Sequence, residues 1–183
     1  MPISINGSGS ITGLSAGGLP DGSITAADLA AGAARSNFGA GAVLQVIQGV
    51  KSDSDTISAS ANTWYDTGLE ATITPSSSAS KILIMANGHG QPRYNESPNS
   101  PVSFRVTKNG SSITGKFGFN TAGANSENQA SSNAIIHLDS PATTSALTYK
   151  IQILIPSTNT LYLNRSYANT GLEMRIILQE IAG

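Results

Sequence analysis

The sequence predicts an all-β fold, an antiparallel β-sandwich of jelly-roll type preceded by an extended N-terminal arm carrying one short helix. Three observations carry that expectation. From Val43 onward, apolar residues recur with period two in short segments about eight to twelve residues apart, punctuated by Pro, Gly, Asn and Ser. Charged residues make up 11% of the chain, far below the roughly one quarter of ordinary soluble domains, while Ser, Thr, Asn, Gly and Ala abound. Before Val43, large apolar residues stand singly, too sparse to form an interior. A barrel of similar size is the alternative architecture. With 183 residues, one well-cored domain plus an appendage is expected, divided into an arm at 1–42 and a β-domain at 43–183.

In the arm the isolated apolar positions are Ile3, Ile5, Ile11, Leu14, Leu19, Ile24, Leu29 and Phe38. Ordering a backbone costs about 1–2 kcal/mol per residue, and burial this thin does not offset it. The arm is therefore expected to gain shape only against another surface, with Ile3 through Leu29 as its docking contacts. Gly-Ser-Ile-Thr recurs at Gly9–Thr12 and Gly22–Thr25, which suggests a surface being read. Thr25 can cap a helix with Asp28 at its third position, and Gly32 stops it, leaving Ala26–Ala31 with Leu29 as the one sizeable side chain. So short a helix is marginal alone, but its small side chains permit close backbone approach. A flexible tether is the other reading of this segment.

The β-domain begins with Val-Leu-Gln-Val-Ile-Gln-Gly-Val, Val43–Val50, alternating and rich in β-branched residues. Further strands are expected at Thr63–Thr67, Leu69–Thr74, Lys81–Asn87, Val102–Lys108, Ser112–Phe119, Ser132–Leu138, Leu147–Ile155, Thr160–Asn164 and Leu172–Ile181. Asn109-Gly110 is a type I′ hairpin signal that puts Phe104, Val106 and Lys108 on one face, Arg105 and Thr107 on the other. Pro75, Pro141 and Pro156, lacking an amide donor, mark strand ends. The apolar runs Lys81–Ala86 and Tyr149–Ile155 belong mid-sheet, and the final strand inside a sheet. The expected core includes Val46, Leu83, Met85, Phe104, Val106, Ile136, Ile151, Ile153, Met174 and Ile176.

Function is bounded mostly by exclusion. Ten Lys and Arg against eleven Asp and Glu leave no basic face for a nucleic-acid backbone. The absence of cysteine removes disulfides and thiolate chemistry. No stretch reaches the roughly 18 apolar residues of a membrane span, and Met1–Ser15 does not read as an export signal. Without export, the Asn-Xaa-Ser triplets at Asn6, Asn95, Asn109 and Asn164 read as chance matches. His137 and Asp139 share a strand face but lack further ligands, no nucleotide or nucleophile-elbow motif occurs, and no enzyme or cofactor is expected. Two polar segments exceed simple turns, 88–101 and 120–129. The first offers His89, Arg93, Tyr94, Asn95 and Glu96, an aromatic beside amides and charges that suits glycan recognition by stacking and hydrogen bonding. Tyr162, Arg165 and Tyr167 form a weaker cluster, and Trp64-Tyr65 reads as a packed sheet edge.

Ile5-Asn-Gly-Ser-Gly-Ser-Ile-Thr-Gly13 followed by Gly17-Gly-Leu-Pro-Asp-Gly-Ser-Ile24 resembles the N-terminal segment of tail-fibre proteins of tailed bacteriophages. Val43–Val46, Ile73–Ile84 and the Arg105–Gly110 hairpin resemble the β-domain that follows there, so the resemblance covers most of the chain. It implies a virion structural protein, on the tail fibre or the capsid exterior. It further implies a homotrimer whose arm docks to other virion proteins and whose loops meet a host cell-surface glycan. A capsid decoration or cement protein, and a soluble lectin-like module, are the other roles such a domain serves. The resemblance carries over no catalytic residue.

Overall fold

Alternating side chains from Val43 onward fold into antiparallel strands throughout. In a computed structural model the described residues are 4–5, 11–12, 39–92, 102–117, 131–156, 158–164 and 172–183. The chain divides into two units, Met1–Phe38 and Gly39–Gly183. In the first, β1 (Ser4–Ile5) and β2 (Ile11–Thr12) pair antiparallel, with Ile5 opposite Ile11. The expected helix Ala26–Ala31 and the contacts Ile3, Leu14, Leu19, Ile24 and Leu29 lie outside the described residues.

The second unit holds β3 (Val43–Lys51), β4 (Asp55–Ala59), β5 (Tyr65–Ile73), β6 (Lys81–Pro92), β7 (Ser103–Lys108), β8 (Ser111–Ser112), β9 (Ser131–Asp139), β10 (Leu147–Leu154), β11 (Asn159–Leu163) and β12 (Met174–Ile181). One sheet runs β5-β10-β7-β8; the other, six-stranded, runs β3-β12-β6-β11-β4 with β9 also on β6. Residues 81–86 of β6 pair with β12 and 90–92 with β11, both on the edge opposite β9. β11 and β12 thus form one line along β6, and β3 and β4 a second line against it. Asn164, at φ 53°, stitches the breaks in these two lines. Its Nδ2 donates to the carbonyls of Lys51 at 2.8 Å and Asp53 at 3.2 Å.

The core lies between the sheets. Ile82, Ile84, Ile176 and Leu178 from the six-stranded sheet meet Leu69, Phe104, Tyr149, Ile151 and Ile153 from the other, all fully buried or nearly so. Each such side chain contributes about 1.5–3 kcal/mol by leaving water. The parity of β6 is fixed at Gly88, where an added Cβ would fall 2.6 Å from the Phe104 ring. With Gly88 inward, Ile82, Ile84 and Ala86 also face in, and Leu83 and Met85 face out.

That parity corrects the expected core. Phe104, Val106, Ile151, Ile153, Met174 and Ile176 are buried, whereas Val46 is 55% and Ile136 75% exposed. Leu83 and Met85 are half-buried on the same outer face. These strands are apolar at both parities, so periodicity alone does not tell the inner face from the outer.

Beyond shifts of one or two residues, element boundaries differ in four places. Thr63–Thr67 and Leu69–Thr74 are one strand, β5, whose register against β10 shifts at Gly68, held at φ 80°. β4 was not anticipated, because Asp-Thr-Ile-Ser-Ala is short and polar. β6 continues through Gly-His-Gly-Gln to Pro92, where a loop from residue 88 was expected, because β9 and β11 supply its hydrogen-bond partners. Of the expected strand Ser112–Phe119, the described residues 112–117 hold the end of β8 and a bridge in which Phe117 and Phe104 exchange amide hydrogen bonds, and 118–119 lie outside the described residues. The hairpin at Asn109 (φ 49°) and Gly110 (φ 85°) has both residues left-handed, as a type I′ turn requires.

Candidate interaction surface

The exposed apolar residues gather on the outer face of the six-stranded sheet. Strand pairing sets them in rows: Val46, Gln179, Leu83 and Leu138 across one level, Gln48, Ile177, Met85 and Ile136 across the next. A third row holds Val50 beside Arg175 and Asn87 beside Ala134, with the Arg175 amide donating to Asn87 Oδ1. Leu138 and Val50 are each 50% exposed. A hollow of about 310 Å³ opens between Met85, Ala134, Ile136, Arg175 and Ile177. Four lines about 4.8 Å apart and about eight residues long give the whole face, polar residues included, roughly 500 Å². Charge is nearly absent here, since Arg175 pairs with Glu173 and Lys81 sits at the end of β6.

The outer face of the other sheet is polar and self-paired. Lys150 Nζ lies 2.9 Å from Glu70 and 3.5 Å from Asp66, and the Glu70 carboxylate holds its ammonium above the usual lysine range. Gln152 donates to Asp66 at 2.6 Å and accepts from Arg105 Nε at 2.8 Å. The Arg105 guanidinium rests 4.3 Å over the Trp64 ring, at the foot of edge strand β5.

Two polar clusters reach inside. Lys108 lies 2.8 Å from Asp139, whose carboxylate also accepts the Tyr149 hydroxyl at 2.7 Å, tying edge strand β9 to the facing sheet. Burial, and then the Asp139 carboxylate, push the Tyr149 hydroxyl far above its ordinary range. Asp139 is thus committed to structure and does not orient His137. Glu180, fully buried, accepts from Ser76 N at 2.7 Å, Ser76 Oγ and Gln45 Nε2, both at 2.6 Å. Burial raises its pKa, but these hydrogen bonds outweigh it and hold the carboxyl below its ordinary value. Among the described residues, no group of three or more His, Cys, Asp or Glu is placed to hold a metal ion.

Of the expected glycan contacts, His89 lies within β6, its backbone opposite Ser132, and not in a loop. Arg93, Tyr94, Asn95 and Glu96 lie outside the described residues, as do 120–129, Arg165 and Tyr167. Tyr162 is on β11, and its expected partners Arg165 and Tyr167 lie outside the described residues. The apolar face was missed as a site, yet its signal was present: Ile82–Ala86 and Ile135–Leu138 carry large apolar residues at both parities, as strands covered on both faces do. No family model and no curated protein matches the chain.

Proposed function

We propose that the protein is a structural component of a tailed-bacteriophage virion, a tail-fibre part in host attachment that assembles as a homotrimer and docks through residues 1–42. The observation that carries this reading is the leader, in which Ile5–Gly13 and Gly17–Ile24 resemble the corresponding phage segment. Its placement before a β-sandwich with an apolar outer face fits a domain that works in contact with other chains. With β3/β4 and β11/β12 each counted as one line, the sheets read 1-8-3-6 and 2-7-4-5 in chain order. Interlocked Greek keys produce that order, which supports the jelly-roll reading. The role is structural and not enzymatic, and Arg93, Tyr94, Asn95 and Glu96 together with His89 are its contacts for a host glycan.

Immunogold labelling of intact particles tests this. Gold at the tail tip is the expected result. Gold spread over the head in lattice multiples would move the protein to the decoration or cement role. Unlabelled particles would overturn the virion assignment.

A further inference from the structure

We infer that the outer face of the six-stranded sheet is the contact between copies of this chain, closing a ring of three in which the β9 side of one copy meets the β3 side of the next. This rests on the homotrimer reading above and adds to it the surface and the residues that meet.

The distribution of apolar exposure favours this arrangement over a two-fold stack. The outward residues of β9 are Ala134, Ile136 and Leu138, and those of β3 are Val46, Gln48 and Val50. The two central lines alternate, with Arg175, Gln179 and Asn87 among Ile177, Leu83 and Met85. A two-fold stack would set centre on centre, where binding energy concentrates, yet here the centre is half polar while the sides carry Gln48 among Val46, Val50, Ala134, Ile136 and Leu138. Two different strips on one molecule are what a heterologous contact needs, and such contacts close into a ring of three when each turns the next copy by one third of a turn. Size points the same way. The whole face, roughly 500 Å², falls short of the ~800 Å² per partner of a standard interface, whereas a ring gives every copy two junctions and adds the sheet edges.

Among the described residues, β9 pairs in strand register with β6, unbroken over nine residues, and its stretch Ala134–Asp139 has no Lys, Pro or bulge to discourage further pairing. Charge narrows the occupant. Arg175 is neutralised by Glu173, so the face offers nothing to a nucleic acid or an anionic membrane and suits another uncharged surface. If the three-fold axis runs along the strands, rotation preserves height, and residues of one row meet. Val46 of one copy then faces Leu138 of the next.

Because the chain has no cysteine, the contact can be tested by cross-linking in the full-length protein. Leu138→Cys and Val46→Cys, singly and together, are treated with a short bismaleimide, and the wild-type mass is measured by sedimentation. The expected result is a three-chain wild type, a covalent trimer from the double variant, dimers from mixed single variants, and no product from either alone. A dimer from Leu138→Cys alone would replace the ring with a two-fold stack and overturn the inference. A three-chain wild type whose double variant does not cross-link would overturn the surface while leaving the trimer standing. A single-chain wild type would overturn both. In that case flotation with phosphatidylcholine vesicles would assign the face to lipid, and no flotation to a different protein.

Discussion

The two outer faces of the sandwich are made from the same kind of alternating strand and carry opposite chemistry. On the four-stranded sheet, Asp66, Glu70, Lys150, Gln152 and Arg105 satisfy one another in a chain of contacts that water can surround. On the six-stranded sheet, Val46, Val50, Ile136 and Leu138 stand half exposed or more on the outer face. The core between the sheets is complete without them. One face is satisfied by its own side chains, whereas the other presents apolar side chains to solvent.

Substitutions can sharpen or break this contrast, beginning with the shared core. Phe104→Ala, where the ring packs against Gly88 between the two sheets, is expected to cost about 3–5 kcal/mol in a urea titration. A loss under about 1 kcal/mol would mean that stability does not reside between the sheets. Next comes the tie that holds the apolar face's edge strand to the polar sheet. Asp139→Asn leaves Lys108 partly buried without its counter-charge and is expected to cost about 1–3 kcal/mol, with Lys108→Met restoring part of it. Failure of the second change to rescue the first would argue against the pairing.

Glu180, on the inner side of β12, sets the acid response. Its native pKa lies below the ordinary 4.5, so on acidification the unfolded chain takes up the proton first. The stabilisation is complete above pH 4.5 and is lost as pH falls through the lowered native value. Glu180→Gln should flatten the acid limb of a melting-temperature profile in that window, and an unchanged slope would contradict the hydrogen-bonded carboxylate. The smallest effect is expected on the polar face, where Lys150→Ala should leave both the unfolding midpoint and the chain's mass in solution unchanged. A change in mass would show that this face, too, makes contacts between chains.

How much of this was legible in the sequence follows from what each residue reports. Alternation and turn residues placed most strands, and Asn109-Gly110 specified its hairpin, because these signals are local. Facing was not local. Leu83 and Met85 are as apolar as Ile82 and Ile84, and it takes non-local contacts, such as the fit of Phe104 against Gly88, to set which pair points inward. Pairing was not local either: β4 and the far end of β6 are polar stretches made into strands by neighbours distant in sequence. Val46, Leu83, Met85 and Ile136 were expected in the core because they have core chemistry, and their assignment to an outer face is what first exposed the candidate surface. Of the expected glycan contacts, composition could supply a plausible group but not its geometry, since nothing local fixes how such a polar segment is held.

The most direct measurement is the mass of the full-length chain by size-exclusion chromatography with light scattering, taken side by side for the wild type and Ile136→Asp at micromolar concentration. Three chains for the wild type and one for a variant with native circular dichroism are the expected result. A wild type of one chain, or a folded variant still of three, would contradict the claim that the apolar face joins copies of this protein.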